Sequence, residues 1–457
     1  MFNNSVYTNR REKLRSRIKD GIGFFPGNNE SPMNYQANTY HFRQDSSFMY
    51  FFGLNQPGLS GIIDFETGED YLFGNDVTMD DIIWMGDQPS MNERGSMVGI
   101  KNVLSTDKLQ GFLQKGKKIH YLPPYRGETI LHLSQLLDLS YQEIKDQTSM
   151  DLIQAVVELR SVKEEVEIGE IERMVNVAYD MHTTAMKMAF EGTYEREISG
   201  VIEGIALAGG GMTSFPIILT INGQILHNHY HGNMLKEGRL MITDAGAESE
   251  LCYGSDITRT TPVGGTFSQR QKEIYEIVLK ANVETIKATK PGLYYKNLHL
   301  KAADIIANGL KDLGFMKGNM EEAVNAGAHA LFFPHGLGHM LGLDVHDMEN
   351  LGEDHVGYDN EVRRSSQFGL AYLRLGRRLK PGNVLTNEPG CYFIPALIDK
   401  WKAEKKFEEF INYTKVEQYK DFGGVRIEDD ILVTETGSRV LGKPIPKTVE
   451  EVEEVMK

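Results

Sequence analysis

Residues 239–265 read RLMITDAGAESELCYGSDITRTTPVGG. Two apolar runs, one ending at Asp244 and one beginning beside Asp256, flank a polar segment containing glycine, the pattern of a strand, a turn and a returning strand. A turn near Glu250 sets the two aspartates symmetrically on adjacent strands, where both reach one point. Carboxylates packed together repel, and a buried site keeps both ionised only with a cation between them. Taken alone, an Asp pair of this kind also fits ordinary turn residues, so the reading depends on what else in the chain meets it.

Outward from the hairpin, strand-like runs alternate with helical ones. FPIILTIN (215–222), NVLTNEPGCYF (383–393) and GGVRIEDDILVTET (423–436) are separated by QRQKEIYEIVLKANVETIKAT (269–289) and KNLHLKAADIIANGLKDLG (296–314), which predicts a large α/β domain. Before it, Ile168, Ile171, Val175 and Ala178 recur at spacings of three and four, one buried helix face. The first 150 residues mix apolar runs such as FMYFFGL and SGIIDF with turn signals such as NQPG and ETGED, predicting a smaller α/β domain. The boundary falls in RSVKEEVE (160–167), a charged stretch read as an exposed hinge between two helices, giving domains 1–162 and 163–457.

Composition excludes several classes. The chain has 457 residues, 40% apolar and 25% charged, the balance of a folded soluble protein. A formal charge of −15 argues against nucleic acid, whose phosphates need a basic surface. No run approaches the ~18 consecutive apolar residues of a membrane span, and the N-terminus lacks the apolar core of a signal peptide. Cys252 and Cys391 form no metal or redox motif, so a reducing, cytoplasmic setting is expected.

The segment PHGLGHMLGLDVHD (334–347) brings His335, His339 and His346 together in a stretch too rich in glycine for an ordinary helix. Glu388 ends an apolar strand before a Pro-Gly turn. In GGVRIEDDILVT, strand alternation sets Arg426 and Glu428 on one face and Val425 and Ile427 on the other. Imidazole with four carboxylates and no thiolate favours a hard divalent ion, Mn²⁺ first, with Co²⁺ or Zn²⁺ as alternatives. Four carboxylates exceed the charge of one dication, which suggests two. Two metals roughly 3.5 to 4 Å apart lower the pKa of a shared water from about 15.7 towards about 7, the chemistry of hydrolysis.

These motifs resemble the pita-bread metallopeptidases, within them the prolidase (Xaa-Pro dipeptidase) and aminopeptidase P group. DAGAESELCYGSDITRT, HGLGHMLGLDVHD, TNEPGCYF and GGVRIEDDILVT follow the family's order, and YHFRQDSSFMYFFGL and LRSVKEEVEIGEIE extend the likeness across nearly the whole chain. The resemblance implies a C-terminal pita-bread (creatinase/aminopeptidase) fold of the α/β (α+β) class behind a smaller creatinase-like α/β domain. It implies that Asp244 holds one metal, that Asp256 and Glu428 bridge both, that His339 binds the second, and that Glu388 binds it and orients or deprotonates the bridging water. His335 and His346 would line the pocket, His335 near the substrate and His346 stabilising the tetrahedral intermediate or passing a proton to the prolyl nitrogen. A further pocket histidine should precede Asp244 by a short strand. Of His227, His229 and His231 in GQILHNHYHG, His227 follows the apolar Ile-Leu pair and is chosen, the others being read as exposed loop residues with His231 as the alternative. Arg426 and Tyr392 would orient the ligands. One departure is visible: the aspartates stand one position further apart than is usual in the family, which a longer turn or a bulge absorbs unless it slips the register and turns Asp256 away.

The implied substrates are small proline-containing peptides. Arg374 matches the prolidase arginine that takes the free prolyl carboxylate, although it also sits in a cluster with Arg363, Arg364, Arg377 and Arg378. The long segment PALIDKWKAEKKFEEFINYTKVEQYKDF (395–422) also looks like prolidase. The lead reading is therefore Xaa-Pro dipeptidase and the alternative Xaa-Pro aminopeptidase. A metal-free binding module of the same fold is the remote alternative, and a homodimer or homotetramer is expected. Phe332 and Phe333 are candidates for the prolyl-ring pocket, with core packing as the preferred role for both.

Overall fold

The computed structural model describes residues 1–114 and 116–457 and divides into two compact units. The first, residues 1–160 with two short segments at 250–252 and 348–355, carries a mixed sheet of β1 (Ile22–Pro26), β2 (Ser60–Asp64), β3 (Asp70–Phe73), β4 (Asn102–Leu104) and β5 (Ile119–His120), ordered β4-β3-β2-β1-β5. Ile22, Phe24, Ile62 and Phe73 pack with Leu109, Leu113, Leu133 and Ile144 as its core. The run FMYFFGL falls largely in a helix, Ser46–Phe52, all seven of whose residues are buried. Its ends carry helix signals, the Asp45 side chain accepting from Phe48 N and Gly53 at φ 64° closing the last turn. The N-terminal helix Asn4–Arg17 buries Arg10 and Arg11. Arg11 offsets the desolvation with Asp70 at 2.7 Å and the carbonyls of Phe51 and Val98, both at 2.8 Å.

The second unit passes twice through one element order, a helix pair followed by antiparallel strands. Helices Glu165–Met188 and Glu195–Ala208 precede β6 (Met212–Thr213), β7 (Ile218–Thr220), β8 (Leu240–Ala245), β9 (Ala247–Glu248) and β10 (Ile257–Pro262). Helices Gln269–Ala288 and Tyr295–Asp312 precede β11 (Val384–Asn387), β12 (Gly390–Tyr392), β13 (Gly424–Arg426), β14 (Asp429–Val433) and β15 (Ser438–Val440). Ile168, Ile171, Val175 and Ala178 are all buried, as their spacing requires. From that helix His182 Nε2 lies 3.0 Å from the Ala245 carbonyl, and from the later one Asn282 donates to the carbonyls of Asn387 and Ile427. Each helix thus sits behind the strands that carry acidic residues.

The hairpin forms, with a register that differs from the symmetric one. β8 and β10 pair Ala245 with Ile257 and Asp244 with Thr258, so Asp256 lies beyond the last paired residue of β10 rather than opposite Asp244. The offset is two residues, which preserves the face because side chains alternate with period two. Asp244, Thr258 and Asp256 therefore point the same way, and the wider spacing is absorbed without slippage.

The stretch RSVKEEVE breaks the helix as expected, between Met150–Ser161 and Glu165–Met188. It is not an exposed hinge. Arg160, Lys163 and Glu167 are 2%, 5% and 1% exposed, because each charge is drawn into a polar partner instead of water. For Arg160 the partner is Ser47 Oγ, for Lys163 it is Asp347, and for Glu167 it is Tyr253 OH.

One buried ion pair joins β10, β14 and the C-terminal segment. Arg259 donates to Asp429 Oδ1 (2.7 Å) and to the carbonyls of Thr258, Glu428, Ile445 and Pro446, while Lys447 reaches Asp429 Oδ2 at 2.6 Å. Burial pushes the Asp429 carboxyl up, but the two cations outweigh it and hold it below its ordinary range. Arg259→Met strands Asp429 without its main partner and is expected to cost about 3 to 5 kcal/mol of stability. A lower urea midpoint with an unchanged slope is the result to look for, and an unchanged midpoint would contradict the account.

Candidate metal centre and active site

Four segments of the second unit converge on one cavity of about 580 Å³. Asp244 comes from the end of β8 and Asp256 from the entry to β10. His335, His339 and His346 come from the glycine-rich segment, Glu388 from the end of β11, and Arg426 and Glu428 from the junction of β13 and β14. Arg374, His227 and His229 also line it. The β13–β14 alternation is interrupted at Ile427–Glu428, yet Arg426 and Glu428 still face the cavity while Val425 and Ile427 are fully buried.

Asp256, His339 and Glu428 each offer a ligand atom within 4.8 Å of the others. His339 Nε2 stands 3.4 Å from Asp256 Oδ2 and 3.6 Å from Glu388 Oε1. Its other ring nitrogen, Nδ1, lies 3.0 Å from the Met340 carbonyl, which requires Nδ1–H and leaves the Nε2 lone pair facing the carboxylates. Acceptors facing acceptors fit a cation between them. Asp244 adds a second sign: Oδ2 accepts from Arg426 at 2.6 Å, while the buried Oδ1 has no hydrogen-bond partner among the described residues.

The carboxyls register the same crowding. Burial, then repulsion from Asp244, raises Asp256 well above its ordinary range. Burial, then Asp256 and Glu388, does the same to Glu428. Glu388 is pushed up to about 7, by burial first and by Asp256 and Asp244, against the opposing pull of His339 and Arg426. Raised carboxyls favour their protonated forms where cations are absent, and divalent ions fit the same donors.

Arg426 orders the surroundings. Buried, it donates to Asp244 Oδ2, to Tyr392 OH at 2.8 Å and, through Nε, to Thr258 Oγ1 at 3.1 Å. Thr258 in turn donates to Glu428 Oε2 at 2.6 Å. Tyr392 OH, an acceptor from Arg426, donates to His335 Nε2 at 2.9 Å, while His335 Nδ1–H donates to the Gly336 carbonyl at 2.8 Å. That pattern belongs to a neutral imidazole, and burial, with Arg426 nearby, pulls His335 down to about 3. Thr258 escaped the sequence reading, although it lies two residues beyond Asp256 on one strand face.

The remaining expectations meet mixed outcomes. The chosen His227 lines the cavity, with most of strand β8 between it and Asp244, and His229 lines it too while being exposed as expected. His231 is half-buried instead of exposed, its Nε2 3.1 Å from the Ile217 carbonyl. Phe332 and Phe333 pack in the core, the preferred role: both are fully buried, Phe332 against Phe393, and Phe333 stacked on His299 with His335 edge-on to it. The apolar walls instead include Phe215, Ile218, Leu226, Phe368, Tyr372 and Ile394. The arginine cluster separates in space. Arg374 lines the cavity, whereas Arg378 pairs with Glu361 and Arg364 covers the Tyr358 ring.

The profile of metallopeptidase family M24 matches residues 169–435, and that of the aminopeptidase P N-terminal domain matches residues 7–120. The chain belongs to metallopeptidase family M24. This M24 peptidase is 33% identical over 469 residues to the Xaa-Pro dipeptidase of Homo sapiens, covering 99% of this chain and 93% of that protein. It is 32% identical over 449 residues to a probable Xaa-Pro aminopeptidase of Verticillium alfalfae, covering 97% and 94%. The structure of aminopeptidase P from E. coli with the inhibitor Pro-Leu superposes with a TM-score of 0.82 at 29% identity, covering 100% of this chain and 98% of that one. The M24 fold is thus the expected one, an α/β pita-bread domain behind an aminopeptidase P-type N-terminal domain. The buried Asp, His and Glu side chains of this peptidase fit divalent metal ions.

Proposed function

We propose that this M24 peptidase hydrolyses the bond between an N-terminal residue and a following proline, with Xaa-Pro dipeptides as preferred substrates. The observation that carries the reading is the convergence of Asp244, Asp256, His339, Glu388 and Glu428 on one cavity that also holds Arg374. In this reading those five residues hold two divalent ions, Mn²⁺ in first place because the donors are oxygen and imidazole without thiolate. Bound there, the ions supply an acidified water and polarise the scissile carbonyl. Asp244, Asp256, Glu428 and Glu388 would hold them through carboxylate oxygens and His339 through its imidazole. Residues 163–457 form the catalytic domain and residues 1–162 the N-terminal one, in a cytoplasmic homodimer or homotetramer.

The chain's own groups do the rest. Glu388 takes a proton from the attacking water. The prolyl nitrogen carries no hydrogen and leaves only once protonated, and His346, whose ring centroid lies 4.3 Å from that of His339, delivers that proton. His335, fixed as a neutral ring by Tyr392, and His227 at the mouth confine the substrate. Arg426 and Tyr392 hold the ligands in place.

Arg374 supports the dipeptide preference, because a guanidinium fork on the cavity wall matches the free carboxylate of a C-terminal proline. The likeness to aminopeptidase P structures favours longer peptides as the second reading. Comparing Ala-Pro with Ala-Pro-Ala separates them: kcat/KM is expected to be higher for Ala-Pro, and preferred cleavage of the tripeptide overturns the dipeptidase reading. Arg374→Ala should raise KM for Ala-Pro on the order of tenfold to a hundredfold, a charge-assisted bond lost to the substrate.

A further inference from the structure

We propose that Lys163 and Asp347 are a positioning pair for His346, a role that rests on the peptidase reading above. Lys163 Nζ stands 2.7 Å from Asp347 Oδ2, and each side chain is 1% exposed. The partners are 184 residues apart in sequence, and Asp347 directly follows His346.

The loop between His339 and His346 is built around this pair. At its first end Leu341 N donates to the Val384 carbonyl (3.0 Å), and His339 N is held by Thr386 Oγ1 at 3.1 Å, so His339 is anchored on β11. At its second end Asp347 N closes back on the Met340 carbonyl at 2.9 Å. Asp347, the residue that follows His346, is thus held both by its backbone and by its side chain. Gly342 shows how tightly the loop is drawn: a Cβ there would lie 2.7 Å from Asp347 Oδ2 and 2.8 Å from Lys163 Cε. Lys163 is itself anchored, its N donating to the Gly382 carbonyl at 2.8 Å, next to Asn383, which donates to the Ser161 carbonyl at 2.7 Å.

His339 is held on β11 independently of the pair, whereas His346 is joined to the pair through the backbone at Asp347 and packs against the His339 ring, centroids 4.3 Å apart. A buried ion pair contributes little net stability compared with apolar side chains of equal volume, and fixing one geometry is its better-attested use. In this enzyme the geometry fixed is that of the proposed proton donor to the prolyl nitrogen. A misplacement of about 1 Å there is enough to slow turnover by about two orders of magnitude.

A double-variant cycle on the metal-loaded full chain tests this, with Ala-Pro as substrate and metal content measured beside kcat and KM. Lys163→Met and His346→Ala are each expected to lower kcat roughly tenfold or more, with KM and metal content near those of the parent. In the His346→Ala background, Lys163→Met should then lower kcat less than about twofold further, because the residue it positions is gone. Losses that multiply, or an undiminished kcat in Lys163→Met, overturn the proposal. Should Lys163→Met fold poorly, the same cycle with Asp347→Asn, which removes the charge and keeps the shape, decides on the same criteria. A parent chain that cleaves no Xaa-Pro bond overturns the peptidase reading and this proposal with it. Multiplicative losses in an active parent overturn this proposal alone.

Discussion

Glu388→Gln and His339→Ala are each expected to lower kcat on Xaa-Pro peptides by at least about a thousandfold, on the order of 4 kcal/mol of barrier, with the fold intact. Glu388 is the acidic group in reach of both histidines, 3.6 Å from His339 Nε2 and 3.8 Å from His335 Nδ1. The glutamine keeps its volume and removes both the negative charge and the proton acceptor. His339→Ala removes the imidazole whose Nε2 faces two carboxylates, leaving Asp256 and Glu388 without the only nitrogen donor assigned to the metal set. Neither change should unfold the chain, because neither side chain supports the core: the backbone of this segment is held by the His339 N to Thr386 Oγ1 and Leu341 N to Val384 O bonds. Circular dichroism and thermal melting check the fold, and steady-state hydrolysis of Ala-Pro checks the loss. Turnover within tenfold of the parent by either variant would falsify the assignment of these residues.

The parts of this site that were legible in the sequence are those governed by local periodicity. Strand alternation placed Arg426 and Glu428 on one face, and spacings of three and four marked the buried face of the helix Glu165–Met188. The same period of two made the hairpin robust: its register differs from the symmetric one by two residues, and the aspartates still share a face. Register itself depends on how the turn closes, which residue types alone leave open. Lys163 shows a different limit. Within RSVKEEVE it looks solvated like its neighbours, and a partner 184 residues away accompanies its burial. The cavity walls show a third. Phe215, Leu226, Phe368 and Ile394 come from separate segments and are, in composition, indistinguishable from core residues such as Phe332 and Phe333. In FMYFFGL the apolar run alone fits strand or helix, and the flanking Asp45 and Gly53 carry the information that decides it.

Removing the metals is expected to abolish hydrolysis and to make stability fall with rising pH, while the metal-loaded enzyme holds or gains stability over the same range. The sign follows from the carboxyls. Glu388 moves from 4.5 to about 7 in the fold, and Asp256 and Glu428 are raised as well, each through burial first and then through neighbouring negative charge. A carboxyl raised in the fold favours its protonated form there, so its stabilising contribution is present below the unfolded value, near 4.5 for Glu388, and is lost as pH climbs through about 7. For Glu388 alone that loss is on the order of 3 kcal/mol. Divalent ions bind the ionised carboxylates and stabilise the fold by mass action, more strongly as the competing protons leave. The difference in Tm between loaded and chelated protein should therefore widen steadily from about pH 5 to about pH 8. Calorimetric titration of the chelated chain with Mn²⁺ near pH 6.5, in two buffers of different ionisation enthalpy, should show protons released on binding. A Tm difference independent of pH, or binding without proton release, would mean that these carboxyls do not hold the ions. Activity that survives thorough chelation would remove the metal centre from the reaction altogether.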